Sequence, residues 1–265
     1  MSELDPAREV TFRARGFNPV QRRWVSWVAL ACGLLAWELA SVSGWLPRLF
    51  VPAPHEVLLA FAELVRSGRL AAHVAASLQR IVLGWSLGTC AGLLLGFGMG
   101  MSSLARSVGL PLVAALFPIP KIALLPLFIL WFGLGEPSKI ATIALGVFFP
   151  TAISCYAAVD HVPRNLIRMG QSFGMPTRTI VRSVIVPGAL PGILAGFRIS
   201  TSIALILLVS AEMIGAQVGV GAFVLAAGNL MQTDQLLAGV AVLSGAGLCV
   251  SWLLGLAERR LLRWR

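Results

Sequence analysis

Ionisable residues inside long apolar stretches are the first candidates for chemistry in this sequence. Lys121 lies in such a stretch, with Pro118, Pro120 and Pro126 beside it. A charge placed inside a membrane span costs about 2.5–3.5 kcal/mol on insertion scales and points to function by default. Prolines free backbone carbonyls and bend a helix, which is tolerated where neighbouring helices or a water-filled path receive them. Lys121 thus either faces a translocation path, where it would attract an anion, or pairs with Glu38 in another apolar stretch. Glu212 sits near the end of a further stretch, with Gln217, Gly219 and Gly221 after it. It could serve an outer gate or a partner contact, or be an ordinary interfacial carboxylate. Pro118, Pro120, Lys121 and Glu212 are the candidate path residues. His55, His73 and His161 are scattered, and Cys32, Cys90, Cys155 and Cys249 lack metal-ligand spacing. No metal site and no catalytic group is assigned, because an enzyme in the membrane would need clustered His, Asp or Glu.

The second group is a basic loop holding Arg164, Arg168, Arg178 and Arg182. Asp160 can cap a helix whose first turn contains Pro163, and that helix would run over 165–173. Gly174-Met175-Pro176 breaks it, since glycine allows left-handed backbone and proline cannot continue a helix. A second helix over 177–186 is expected to end at Pro187. Phe173 and Met175, near the bend, are apolar groups suited to insertion into a partner's groove. The competing reading makes Phe173 an aromatic anchor at the bilayer interface. A DNA-reading hairpin is excluded, because the flanking apolar stretches are only about 30 residues apart.

These residues are carried by a chain of 265 residues that is 57% hydrophobic and 12% charged. Soluble domains carry about 25% charged residues, so a soluble enzyme is excluded and an all-α polytopic membrane protein is implied. Six stretches meet the length of about 20 apolar residues that a span needs. They are 24–46, 77–101, 108–132, 139–159, 191–214 and 236–257. Arg8, Arg13, Arg15, Arg22 and Arg23 precede the first, and Arg259, Arg260, Arg263 and Arg265 follow the last. Basic loops stay in the cytoplasm, so both termini are expected there. The 164–182 arginines and Arg106 fall on the same side, whereas no Lys or Arg occurs between Arg198 and Arg259. The net charge of +10 is therefore a topological signal, not a nucleic-acid face. Residues 1–23 form a cytoplasmic arm, and 24–265 a single transmembrane domain with a cytoplasmic loop over 160–190. A short amphipathic helix is expected over 55–66, on the outer surface. Trp24, Trp27, Trp45, Trp131, Trp252 and Trp264 lie near span ends, as interfacial anchors do.

The basic loop carries a resemblance. Membrane subunits of ABC importers share a cytoplasmic motif of Glu-Ala-Ala, three residues, Gly, nine residues, Ile, one residue and Leu-Pro. Here the matching positions read Arg168-Met169-Gly170, Gly174, Val184 and Val186-Pro187. Arg168 departs from the motif's Glu, so it contacts an acid on a partner, lipid phosphates or solvent. The stretch from Phe117 to Gly135 resembles the third-span signature of the nitrate/sulfonate/taurine importer permeases. So do Ser77-Leu-Gln-Arg80, Pro187-Gly-Ala-Leu-Pro191 with Gly196-Phe-Arg198, Ala211-Glu-Met213 with Gly219-Val-Gly221, and Glu258 to Trp264. The resemblance implies the six-helix fold of the methionine-importer-like (type I) permeases, acting as a homodimer in a bacterial inner membrane. It implies two copies of a separate ATPase, which would hold ATP and Mg, and a periplasmic binding protein. No phosphate-binding Gly-x4-Gly-Lys-Ser/Thr occurs in the chain. The coupling role falls on Arg164, Arg168, Met169, Gly170, Ser172, Phe173, Gly174, Met175 and Pro187. The implied cargo is a small anion of the sulfonate, taurine or nitrate kind. The rival reading, an ion-coupled secondary transporter, would not need the spacing of Gly174 and Pro187 and would show inverted repeats.

Overall fold

The computed structural model describes residues 23–47 and 49–263. They fall into two compact units, the first ending at Glu56 and the second starting at Val57. Except for the backbone of Arg23, the N-terminal arm lies outside the described residues.

In the first unit, α1 (Arg23–Val42) is the first span, four residues shorter at its end than the apolar run suggests. Glu38 near its end reaches His55, with its carboxylate 2.6 Å from Nδ1 and 3.4 Å from the backbone N–H. A carboxylate at a helix N-terminus is favoured by the helix dipole, so this contact helps to start α2 (Pro54–Arg66). Pro54 occupies the first helical position, where its missing N–H costs nothing. The amphipathic helix expected over 55–66 is α2.

The second unit is built on α3 (Arg69–Met101), α6 (Glu136–Asp160) and a helical segment, Thr177–Gly215. Along α3, Gly84, Gly88, Gly92, Gly96 and Gly100 recur every four residues, and so share one face. That face lies against α6 at backbone contact. A Cβ on Gly88 would stand 2.3 Å from the Ala144 carbonyl oxygen, and one on Gly96 2.7 Å from that of Ala152. Without a hydrophobic drive inside lipid, helices associate through such close packing of small residues. The paired numbers rise together, Gly84 meeting Ile143 and Gly100 meeting Val159, so α3 and α6 run parallel. The Thr177–Gly215 segment runs antiparallel to α6, with Gly196 against Ser154 and Gly146 against Leu207. The starts of α3 and α6 and the end of Thr177–Gly215 therefore meet at one end of the bundle.

Around this core lie α4 (Ser103–Leu116), α5 (Leu125–Phe132), α10 (Val220–Asn229) and α11 (Thr233–Leu261). Five described helices are long and apolar enough to cross a membrane, and six when α4 and α5 count as one span. Three expectations are corrected. The third span is not one helix over 108–132: α4 and the Lys121–Phe132 piece meet at 87°, because Pro118 and Pro120 interrupt the hydrogen-bond ladder. The fifth span does not begin at Pro191, and no helix ends at Pro187. α8 (Thr177–Ile180) passes through a π-helical turn, Val181–Ile185, into α9 (Val186–Gly215). The π turn opens the α-helix just before Pro187, so the proline stands at the first turn of α9 and breaks nothing. Finally, Asp160 caps no helix. It ends α6 and pairs with Arg106 at 2.7 Å, while α7 (Arg164–Ser172) is preceded by Pro163 with no side-chain cap.

Candidate functional site

At the end where α3 and α6 start, three charges from three helices meet. Arg80, three turns into α3, is 3% exposed at its side chain. Its Nε and Nη2 donate to the two oxygens of Glu136, at 2.5 and 2.7 Å. Its Nη1 donates to Glu212 Oε1 and to the Val218 carbonyl, both at 2.7 Å. The guanidinium thus holds one carboxylate in its planar fork and another at its remaining face, a geometry a lysine lacks.

Glu212 is fully buried. It also accepts from the Ser77 hydroxyl (2.7 Å) and the Gly221 N–H (2.8 Å). Ser77 in turn accepts from the Val220 N–H at 2.9 Å, and His73 Nδ1 lies 3.1 Å from the Gly219 nitrogen. The Val218 carbonyl and the N–H groups of Gly219, Val220 and Gly221 are thus each held by a side chain of α3 or by Glu212. Gly219 has φ 148, and a Cβ there would stand 2.5 Å from the Glu212 carboxyl carbon and 2.6 Å from Arg80 Nη1. Only glycine fits. This turn starts α10, so the stretch after Glu212 is an ordered turn and helix. Lys139, also buried, donates to the Leu134 and Gly135 carbonyls at 2.9 and 3.0 Å. With Lys139, Arg80, Glu136 and Glu212 balance in charge. Arg80, Glu136 and Lys139 border a cleft of about 450 Å³ with residues 214–218, while Glu212 lies beneath it.

Lys121 opens the short 3-10 turn between α4 and α5. Its Nζ donates to the carbonyls of Leu116, Phe117 and Ile119 at 2.9, 2.8 and 2.6 Å. It also lies 4.7 Å from the Phe149 ring centre, a cation–π contact. The Phe117 and Ile119 carbonyls are left open where α4 stops at the Pro118 and Pro120 break, while that of Leu116 also accepts from the Ile119 N–H. An ammonium at a helix C-terminus satisfies them and meets the negative end of the dipole. Lys121 thus meets local carbonyls, while Glu38 finds its partner in His55.

The basic loop forms the opposite end. α7 closes in a Schellman turn: Gly174 N–H donates to Gln171 O (2.9 Å) and Met175 N–H to Gly170 O (3.0 Å). Gly174 has φ 70, and open space surrounds a Cβ there. Gly170 is buried beneath Ile180 and Met175, with a Cβ position 3.2 Å from Ile180. The turn holds α7 against α8. Leu166, Met169 and Phe173, spaced three and four apart, lie on one face of α7 and are exposed, Phe173 by 78%. Arg164, Arg168, Arg178 and Arg182 are exposed and make no ion pair among the described residues. Ser172 donates to the Arg168 carbonyl at 3.0 Å. Pro187 lies apart from this turn, in α9.

Of the residues singled out by sequence, Glu212 belongs to the charged knot, Pro118, Pro120 and Lys121 to the break, and the rest, Pro187 excepted, to the loop. Arg80, Glu136, Ser77 and His73 escape a reading that seeks charges in mid-span. The signal for Arg80 is that an apolar helix begun at Arg69 already places it three turns inside.

Residues 88–263 match the family of binding-protein-dependent transport system inner membrane components. The taurine transport system permease protein TauC of Escherichia coli (strain K12) is 38% identical over 240 residues, covering 89% of this chain and 87% of that protein. SsuC of Bacillus subtilis (strain 168), named for aliphatic sulfonates transport, is 35% identical over 243 residues, 91% of this chain and 88% of its own. Among solved structures, the inward-facing MetNI methionine ABC transporter is similar with a TM-score of 0.58 at 23% identity, over 72% of this chain and 93% of that one. An amino acid ABC transporter with histidines gives 0.58 at 20%, over 76% and 98%. The fold is that of the type I ABC importer permeases.

Proposed function

The chain belongs to the family of binding-protein-dependent transport system inner membrane components, and from that membership we propose that a homodimer of it is the path by which an ABC importer takes a small sulfonate-class anion into the cell. The observation that carries this reading is the family match itself, which runs across the basic loop and both helices flanking it. The names of TauC and SsuC support the cargo class. Both termini lie in the cytoplasm in this reading, together with the loop around Gly174. Each of two ATPase subunits, holding ATP and Mg, takes the Leu166–Met169–Phe173 face in a groove, with Arg164 and Arg168 at its rim. A periplasmic binding protein delivers the solute to the end that carries the charged knot. This chain itself binds no cofactor.

The break in the third span supports a second copy and a path. Non-helical backbone at membrane depth is tolerated only where protein covers it or water lines it. Residues 117–120 are exposed, Phe117 by 45%, so a partner copy and an aqueous path are what this stretch requires. Lys121, its three N–H donors engaged, acts on a passing anion through its charge. Glu212 acts on the path through the turn at 216–219, because it is itself buried.

Uptake into proteoliposomes tests the proposal. With the ATPase, the binding protein and internal ATP present, labelled taurine or an alkanesulfonate accumulates; omitting ATP or the binding protein abolishes it. Accumulation driven by a proton or sodium gradient without ATPase contradicts it.

A further inference from the structure

The two helical segments that enter and leave the basic loop both end at one guanidinium. α6 starts at Glu136 and runs unbroken to Asp160, just before α7. The Thr177–Gly215 segment returns from the loop and carries Glu212 in its last turn. At a rise of about 1.5 Å per residue, α6 carries a displacement over about 37 Å. Arg80, from the parallel helix α3, clasps both far ends.

Its two arms differ. Glu212 is fully buried and also holds Ser77 and the Gly221 N–H. Released from Arg80 it would lose its cation at a place water does not reach, which is costly. Glu136 is 46% exposed on the rim of the cleft, and among the described residues its hydrogen-bond partner is Arg80 alone. Released, it is hydrated at once. We propose that the Arg80–Glu136 fork is a latch that opens and closes as the basic loop moves, while the Arg80–Glu212 arm stays shut and keeps the 216–221 turn attached to α3. The latch sets how firmly the resting transporter stays closed at this end, and Arg80 is a positioning residue that acts through the two helices. The inference rests on the transport reading above.

The test is ATP hydrolysis by the reconstituted complex, with and without binding protein. Glu136→Gln keeps the size of the side chain and removes its charge. It raises the rate without binding protein about threefold or more, as a shift of a two-state balance would, and lowers the stimulation ratio by the same factor. Glu136→Asp restores most of the ratio. Arg80→Lys, which keeps the charge but loses the fork, shifts the ratio as Glu136→Gln does and serves where the glutamine variant assembles poorly. Equal recovery of assembled complex separates this from a loss of fold. Wild-type basal rate and stimulation in both Glu136→Gln and Arg80→Lys overturn the latch while leaving the transport reading standing. A wild-type complex that binding protein does not stimulate overturns that reading, and the latch with it.

Discussion

The charged knot and the basic loop, at opposite ends of α6, are built on opposite plans. In the knot, side chains from α3, α6 and α9 satisfy one another, and the 218–221 backbone is fixed by Arg80, Glu212, Ser77 and His73. In the loop, backbone bonds close the turn at Gly174, and the arginines face outward with Leu166, Met169 and Phe173. Fully buried Glu212 holds one arrangement, since a buried carboxylate that loses its partner is strongly penalised. Exposed arginines beside the exposed Leu166–Met169–Phe173 stripe contribute little to the chain itself but present the composition of an interface core and rim. The first end is complete within one chain. The second has the form of a surface that a partner completes.

Substitutions that sharpen this contrast fall in a clear order. Arg80→Ala leaves Glu212 as a buried, unpaired carboxylate and is expected to destabilise the detergent-solubilised chain by about 3–5 kcal/mol. Adding Glu212→Gln to it restores part of that loss, because the two residues form one network; thermal melts of both singles and the double measure this. Lys121→Met leaves the Phe117 and Ile119 carbonyls, just after α4, without a donor. A loss of about 0.5–1.5 kcal/mol is expected, since these exposed carbonyls can turn to water, read as increased protease cleavage near 117–120. Gly174→Ala meets open space, so its cost is the positive φ alone, about 1 kcal/mol. Its melt lies close to wild type, whereas Gly219→Ala, which clashes with Glu212 and Arg80, lowers the melt far more.

How much of this is legible in the sequence depends on the range of the contacts. The spans, α2 and the turn at Gly174 follow from signals within one helix length, namely apolar runs, Pro54 at a helix start, and Gly174-Met175-Pro176. The carbonyl partners of Lys121 are equally local, two to five residues away, and the prolines beside it announce the open carbonyls. The knot is not legible in this way, because Arg80 lies 56 residues from Glu136 and 132 from Glu212. Nothing near Arg80 names its partners until the parallel packing of α3 on α6 is known. The glycine spacing of four along α3 is a local cue to that packing, though not to the helix it meets. Pro187 misleads for a different reason. Proline signals a stop, yet a π turn before it lets the helix continue, and no residue type marks such a turn.

The outward face of α7 is where the ATPase is proposed to attach. Native mass measurement of the co-expressed complex, for wild type and for Phe173→Asp, tests this most directly. Phe173 is exposed, so its replacement leaves the chain's own stability within about 0.5 kcal/mol. Two permease chains with two ATPase subunits are expected for wild type, and a permease dimer stripped of ATPase for Phe173→Asp. A Phe173→Asp complex that keeps both ATPase subunits, or a wild-type mass with one permease chain per two ATPases, would contradict the proposal.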